Sequence, residues 1–187
     1  YSADPRIVEN AKVIESMSYK EVRELSEVGA SVFHEEAIAP VVPKGIAINI
    51  KNTNKPEDKG TMILQSVEGT GLCGVSAKGG LSAIKLSKLM LFKKRGMRHA
   101  LLTMLQIYGI RPCYSLFGID SLTWYFDSKM ASDSVCESMC DRLKKEFELD
   151  SVSVEHGFAI MGLVGEHMDK SSDFVDALSA LRESDIE

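Results

Sequence analysis

Apolar residues recur at helical spacing in four stretches of the chain, and these stretches predict its α-helices. The predicted helices cover residues 19–28, 95–108, 132–147 and 172–181. The first has the clearest limits, because Ser18 and Glu21 are spaced as a capping box and Gly29 follows as a helix stop. The segments between the helices then decide the fold class.

Alternation of apolar and polar positions predicts strands in those segments. The predicted strands cover residues 45–50, 83–92, 110–115, 121–126, 152–154 and 158–164. From 83 to 154 the order is β-α-β-β-α-β, the ferredoxin-like arrangement in which two helices cover one face of an antiparallel sheet. A second copy is predicted to begin at Phe158, with a strand, a loop at Gly165 and a helix. Its sheet is incomplete, so either another chain completes it or the sequence is a fragment.

A glycine-rich run at residues 69–74 has the GxGxxG spacing of a dinucleotide-binding fingerprint. The fingerprint requires a strand before the run and a helix that starts within it. Residues 65–68 form a poor strand pattern, and Gly79 and Gly80 oppose a helix. A flexible connection between domains is therefore the favoured interpretation. A dinucleotide-binding oxidoreductase stays as a hypothesis that rests on this run alone.

Composition and charge narrow the classes of protein further. The 187 residues are 44% hydrophobic, which is enough for one good core or two small ones. The net charge of -5 gives no reason to expect nucleic acid as a partner, and no apolar run is long enough to span a membrane. The four cysteines lack paired spacing, which favours reduced thiols in a cytoplasmic protein. Cys136 and Cys140 are interpreted as helix-packing residues, and no metal site or Ser-His-Asp arrangement is predicted.

Three segments carry a resemblance to a known family. They are Ala-Asp-Pro-Arg-Ile-Val at 3–8, Gly-Ala-x-Val-x-His at 29–34, and the segment from Asn52 to Thr61. In this order and spacing they resemble the C-terminal half of the kinase domain of aspartate kinases, and the rest resembles their regulatory region. The fold class implied is mixed α/β and α+β. It comprises an amino-acid-kinase remnant at 1–64, a first ferredoxin-like ACT unit with its connection at 65–154, and an incomplete second ACT unit at 155–187.

The resemblance also implies nucleotide contacts in the first part of the chain. Family members contact ATP through a tyrosine before the Asp-Pro-Arg segment and through its arginine, which correspond here to Tyr1 and Arg6. A third contact is a lysine in many members, and Ser31 stands at that position. The family segments that hold aspartate have no counterpart here. We therefore predict no catalytic residue in this chain, and expect ATP with Mg as a substrate of the parent enzyme only.

An amino-acid effector site is expected where Arg95 and Gly96 open the second predicted helix. A glycine at a helix start lets a ligand approach the backbone, and the free N–H groups there favour a carboxylate. A simple strand-to-helix turn is the alternative. The location predicted by the resemblance comprises Leu91, Lys94, Gly96, Ser115 and Asp120. Lys93 and Lys94 disfavour a cationic effector, whose identity the sequence leaves open.

Two functional hypotheses follow from the resemblance. The leading one is a fragment of an aspartate kinase, which phosphorylates the β-carboxylate of aspartate at the entry to lysine, threonine and methionine synthesis. The alternative is a non-catalytic regulatory subunit that binds an amino acid and pairs with a full-length kinase chain. Both imply self-association through ACT units.

Overall fold

Seven strands and four α-helices occur within residues 1–30, 37–69 and 71–184, which are the residues that the computed structural model describes. In chain order they are β1 (Ser16–Ser18), α1 (Tyr19–Glu27), β2 (Ile48–Ile50), β3 (Thr61–Leu64), β4 (Gly71–Ser87), α2 (Met97–Ile107), β5 (Tyr114–Phe117), β6 (Ser121–Asp127), α3 (Asp133–Phe147), β7 (Ser151–Glu166) and α4 (Asp173–Glu183). They form two units: residues 1–78 with 160–187, the terminal unit, and residues 79–159, the inserted unit. None of the helices in the described ranges has the length and apolar character needed to cross a membrane.

Helix α1 organises the core of the terminal unit. The predicted capping box is confirmed: the Glu21 N–H donates to Ser18 Oγ at 3.1 Å, and the Ser18 N–H donates to Glu21 Oε2 at 2.7 Å. Val22 and Leu25 on the buried face of α1 pack in a cluster with Ile63 of β3. That strand lies between β1, which is parallel to it, and β2, which is antiparallel.

The first half of β4 and the second half of β7 also contact α1 within the terminal unit. Ser76 Oγ donates to the Val28 carbonyl at 3.3 Å, just past the end of the helix. Gly162 of β7 lies so close to Val28 that an added Cβ atom would stand 2.5 Å from Val28 Cγ2. A residue without a side chain at 162 is therefore required for this contact.

The inserted unit has the predicted ferredoxin-like fold. Its sheet has the order β5-β6-β4-β7, and β6 is antiparallel to both β4 and β5. Helices α2 and α3 pack on one face and enclose a core around Trp124 and Phe126. Cys136 is buried in this core and Cys140 packs against it, as predicted from their helical spacing.

Strand limits are where the structure departs most from the sequence predictions. The predicted flexible connection is wrong, because Gly71–Ser87 is one strand. The predicted break between 154 and 158 and the loop at Gly165 are also wrong, because Ser151–Glu166 is continuous. Pairing with neighbouring strands stabilises these extended segments, and single-residue preferences do not reveal it. The domain boundaries at 64 and 154 stay predictions.

Candidate functional site

The segment 88–96 between β4 and α2 contains most of the predicted effector residues, and two carboxylates hold it in place. Asp120 Oδ1 accepts from the Met90 N–H at 2.7 Å, and Asp150 Oδ2 accepts from the Leu89 N–H at 2.9 Å. Met90 adopts a left-handed backbone with φ of 58°. Asp120, the acidic candidate for an effector amine, thus serves the conformation of the segment itself.

The predicted residues on this segment occupy different environments. Leu91 is 1% exposed and belongs to the core of the inserted unit. Gly96 is the N-cap of α2, with φ of 83° and no side-chain capping bond. Lys94 is exposed, while Met97 is buried at the first position of the helix. The strand-to-helix turn predicted at Arg95 and Gly96 is therefore present.

A cavity of about 310 Å³ lies between this segment and the end of α3. Its lining residues are Lys88, Met90, Leu91, Lys94, Met97, Glu146, Phe147 and Glu148. The structure thus brings Leu91 and Lys94 together with the end of α3, while Ser115 and Asp120 do not line this cavity. The sequence reasoning missed residues 146–148. The signal was available, because β4 and β6 are antiparallel and the helices after them must run in opposite directions, which places the start of α2 near the end of α3.

Charged side chains line one side of this cavity. Lys88 Nζ donates to the Phe147 carbonyl at 2.7 Å and lies 3.6 Å from Glu148 Oε2. Arg142 Nε donates to Glu146 Oε1 at 2.6 Å. The carboxylates beside the cavity therefore already have cationic partners within the chain.

On the side of the predicted location that faces the β5–β6 hairpin, two aromatic rings pack against an arginine. The Arg98 guanidinium carbon lies 4.6 Å from the ring centroid of Phe92 and 4.7 Å from that of Phe117. Such cation–π contacts stabilise the attachment of the β5 end to α2. Ser115 lies on β5, an edge strand, and is exposed.

The predicted nucleotide contacts lie at the start of the terminal unit. Tyr1 is 55% exposed, and the Val75 N–H of β4 donates to the Ser2 carbonyl at 2.7 Å beside it. Arg6 pairs with Asp4, with Nη2 2.6 Å from Oδ2 and Nε 3.0 Å from Oδ1. These hydrogen bonds lower the pKa of the Asp4 carboxyl to about 2. Ser31 lies outside the described residues.

A Ser-His-Asp contact that the sequence did not predict occurs in the inserted unit. Ser82 Oγ lies 2.8 Å from His156 Nδ1 and 2.8 Å from Ser128 Oγ, and His156 Nε2 lies 3.6 Å from Asp133 Oδ1. Ser82 is 1% exposed, so its hydroxyl is not accessible to a substrate. These hydrogen-bonded side chains link β4 to β7 and to the turn after β6. It is therefore structural and not a hydrolytic triad.

The glycine-rich run does not form a dinucleotide-binding fingerprint. Gly71 and Gly74 lie at the start of β4, a strand of 17 residues, where the fingerprint requires the start of a helix. The oxidoreductase hypothesis thus loses the only feature that supported it.

Comparison with known proteins identifies the relationship. The sequence profile of the amino acid kinase family matches residues 1–52. Aspartokinase 3 of Bacillus subtilis is 34% identical over 170 residues, which is 90% of this chain and 37% of the relative. The chain is related to the aspartate kinases.

The similarity to aspartate kinases extends to three-dimensional structure. The crystal structure of Clostridium acetobutylicum aspartate kinase matches all of this chain and 44% of its own, with 37% identity and a TM-score of 0.89. Lysine-sensitive aspartokinase 3 of Escherichia coli is 24% identical over 91% of this chain and 38% of its own length. The chain thus spans less than half the length of each of these aspartate kinases.

Proposed function

We propose that this chain is the C-terminal part of an aspartate kinase and carries its amino-acid-sensing region. The parent enzyme would transfer the γ-phosphoryl group of ATP, as its Mg complex, to the β-carboxylate of L-aspartate in the cytoplasm. The observation that carries the proposal is the extent of the similarity to aspartate kinases. It continues beyond residues 1–52, which match the amino acid kinase family, and through the ferredoxin-like inserted unit. Similarity to a kinase domain alone would not include the inserted unit.

Amino-acid sensing is supported by the inserted unit and by the relatives. One of them is called an allosteric enzyme and another lysine-sensitive. The proposed effector location comprises Leu91, Lys94, Gly96, Ser115 and Asp120. Effector binding there, with self-association through the ACT units, would shift a conformational equilibrium of the parent and lower its activity.

The proposed nucleotide side comprises Tyr1, Arg6 and Ser31. An aromatic ring and a guanidinium suit a nucleotide base and its phosphates. Arg6 pairs with Asp4, so phosphate binding would exchange one anionic partner of the guanidinium for another.

A chimera tests the proposal directly. This chain would replace the matching region of the Bacillus subtilis aspartokinase 3, and formation of aspartyl phosphate would be measured with and without amino acids. We expect an active enzyme whose amino-acid response follows this chain. A chimera that folds, by size and circular dichroism, but makes no aspartyl phosphate at saturating ATP would contradict the proposal.

Arg6→Ala in the active chimera tests the nucleotide side. We expect KM for ATP to rise about tenfold or more, since a charge-assisted contact to phosphate is lost. Arg23→Ala is the matched control, because Arg23 is equally an exposed arginine of the terminal unit but lies on the outer face of α1. An unchanged ATP dependence in Arg6→Ala would remove Arg6 from the proposed site.

A further inference from the structure

We infer that residues 74–77 of β4 position the nucleotide side of the parent enzyme's active site. The inference rests on the proposed function, in which Tyr1, Arg6 and Ser31 contact ATP. Two segments carry these three residues, one that begins at Tyr1 and one that begins at Gly29. Both segments meet β4 at residues 74–77, so they share one support. Residues 74–77 are therefore positioning residues, which act on the nucleotide through these two segments.

The first segment is attached to β4 through Ser2, the residue after Tyr1. The Val75 N–H donates to the Ser2 carbonyl at 2.7 Å. Gly74 lies so close that an added Cβ atom would stand 3.3 Å from the same carbonyl oxygen. On its other side, the Ser2 N–H donates to the Lys12 carbonyl at 2.7 Å, and Ser2 Oγ accepts from the Lys12 N–H at 3.0 Å. Ser2 is thus fixed between β4 and another part of the chain.

A hydrogen-bonded turn connects Ser2 to the backbone of Arg6. The Ile7 and Val8 N–H groups both donate to the Asp4 carbonyl at 2.9 Å. The Arg6 N–H donates to Asp4 Oδ1, also at 2.9 Å. Because these bonds close a tight turn, the backbone from Asp4 to Val8 moves as one piece. A shift of Ser2 against β4 would therefore move the backbone of Arg6 with it.

The second segment is attached to β4 where α1 ends. Ser76 Oγ donates to the Val28 carbonyl at 3.3 Å. The next residue, Gly29, lies so close to β4 that an added Cβ atom would stand 2.7 Å from the Ala77 carbonyl oxygen. Gly29 opens the Gly-Ala-x-Val-x-His run that contains Ser31. Four consecutive residues of β4 thus support both segments of the proposed nucleotide side.

This support lies outside the part of the chain that matches the amino acid kinase family. The match covers residues 1–52, whereas β4 begins at Gly71. Catalysis depends on the exact placement of the bound substrate, and a displacement of about 1 Å can cost roughly 100-fold in rate. Small changes at residues 74–77 should therefore weaken the use of ATP even where the fold is kept.

Gly74→Ala in the active chimera tests the first attachment. The added methyl group would stand 3.3 Å from the Ser2 carbonyl oxygen and 3.2 Å from Leu25 Cδ1, closer than ordinary contact, so it displaces its neighbours. We expect KM for ATP to rise about threefold or more, with KM for aspartate unchanged. Gly79→Ala is the matched control on the same strand, because no atom of the described residues lies within 4 Å of its added Cβ atom. It should leave both KM values unchanged.

Ser76→Ala tests the second attachment without adding volume. Loss of the hydrogen bond to the Val28 carbonyl should raise KM for ATP about two- to tenfold. Ser76→Thr keeps a hydroxyl and suits a strand, so it should restore the original value. A merely structural role would lower thermal stability in Ser76→Ala and leave KM for ATP unchanged.

The outcomes separate this inference from the proposed function. A folded chimera without activity contradicts the proposed function itself. In an active chimera, an unchanged KM for ATP in either Gly74→Ala or Ser76→Ala would overturn the inference, and so would an equal rise of KM for both substrates. Where circular dichroism shows that Gly74→Ala does not fold, Ser76→Ala and Ser76→Thr decide alone.

Discussion

Leu101→Ala should destabilise the inserted unit strongly, whereas Leu102→Ala should not. Leu101 is 0% exposed and packs in the core cluster around Trp124, while its neighbour on α2 is 38% exposed. Removal of a fully buried leucine side chain costs about 2–5 kcal/mol through lost burial and the cavity left behind. A unit of the size of residues 79–159 has a total stability of about 4–12 kcal/mol, so the loss is a large fraction of it.

Urea unfolding followed by tryptophan fluorescence measures this effect in the inserted unit. Trp124 is the single tryptophan of the chain and is fully buried there, so its emission reports the unfolding of this unit. With an m value of about 1.5 kcal/mol/M, a loss of about 3 kcal/mol lowers the urea midpoint by about 2 M. The Leu102→Ala midpoint should change by less than about 0.5 M, since alanine is a good helix former at an exposed position. Equal shifts in the two variants would mean that α2 does not pack through the face that contains Leu101.

Two further predictions concern the terminal unit and the thiols. Ser18→Ala should lower the free energy of unfolding by about 1–2 kcal/mol, because the cap of α1 is lost. Unfolding followed by far-UV circular dichroism measures this change. An effect no larger than that of Ser134→Ala, at an exposed serine, would contradict the prediction. Burial raises the pKa of the thiols of Cys140 and Cys73 to about 11 and about 12, so both should resist alkylation at pH 8 until the chain unfolds. Because the folded pKa values lie above the ordinary value of 9.0, the neutral thiols stabilise the fold below pH 9, and this contribution should decrease as pH rises toward 12. Rapid alkylation of Cys73 or Cys140 in the native chain at pH 8 would refute the buried-thiol interpretation.

The helices could be predicted from the sequence because their signals are local. The apolar stripe and the Ser18–Glu21 capping box are each contained within a few residues, and the structure places α1 within one residue of its prediction. The long strands could not be predicted in the same way. Gly80 has a left-handed φ of 73° inside β4, and Gly157 one of 87° inside β7, so each resembles a break when read alone. Pairing with distant strands keeps both segments extended.

The candidate site was only partly predictable for the same reason. Gly96 was predicted because a helix start has a sequence signature, whereas Leu91 and Lys94 were predicted from the family resemblance. The cavity also needs residues 146–148, about 50 positions away, which become neighbours only when the two helices pack. Asp120 also has a structural contact that the sequence did not indicate. Its carboxylate accepts the Met90 N–H and so fixes the loop.

The pairing of Arg6 with Asp4 does not argue against a nucleotide role for Arg6. The arginine side chain is 82% exposed, and water screens an ion pair at such a site, so little holds the guanidinium in place. The polyphosphate of a nucleotide carries more negative charge than one carboxylate and offers bidentate geometry to the same donors. A screened pair of this kind would orient the guanidinium only weakly before a nucleotide binds. Asp4→Asn in the chimera should therefore raise KM for ATP less than Arg6→Ala does, with kcat unchanged, and an equal or larger rise would mean that Asp4 positions more than this one side chain.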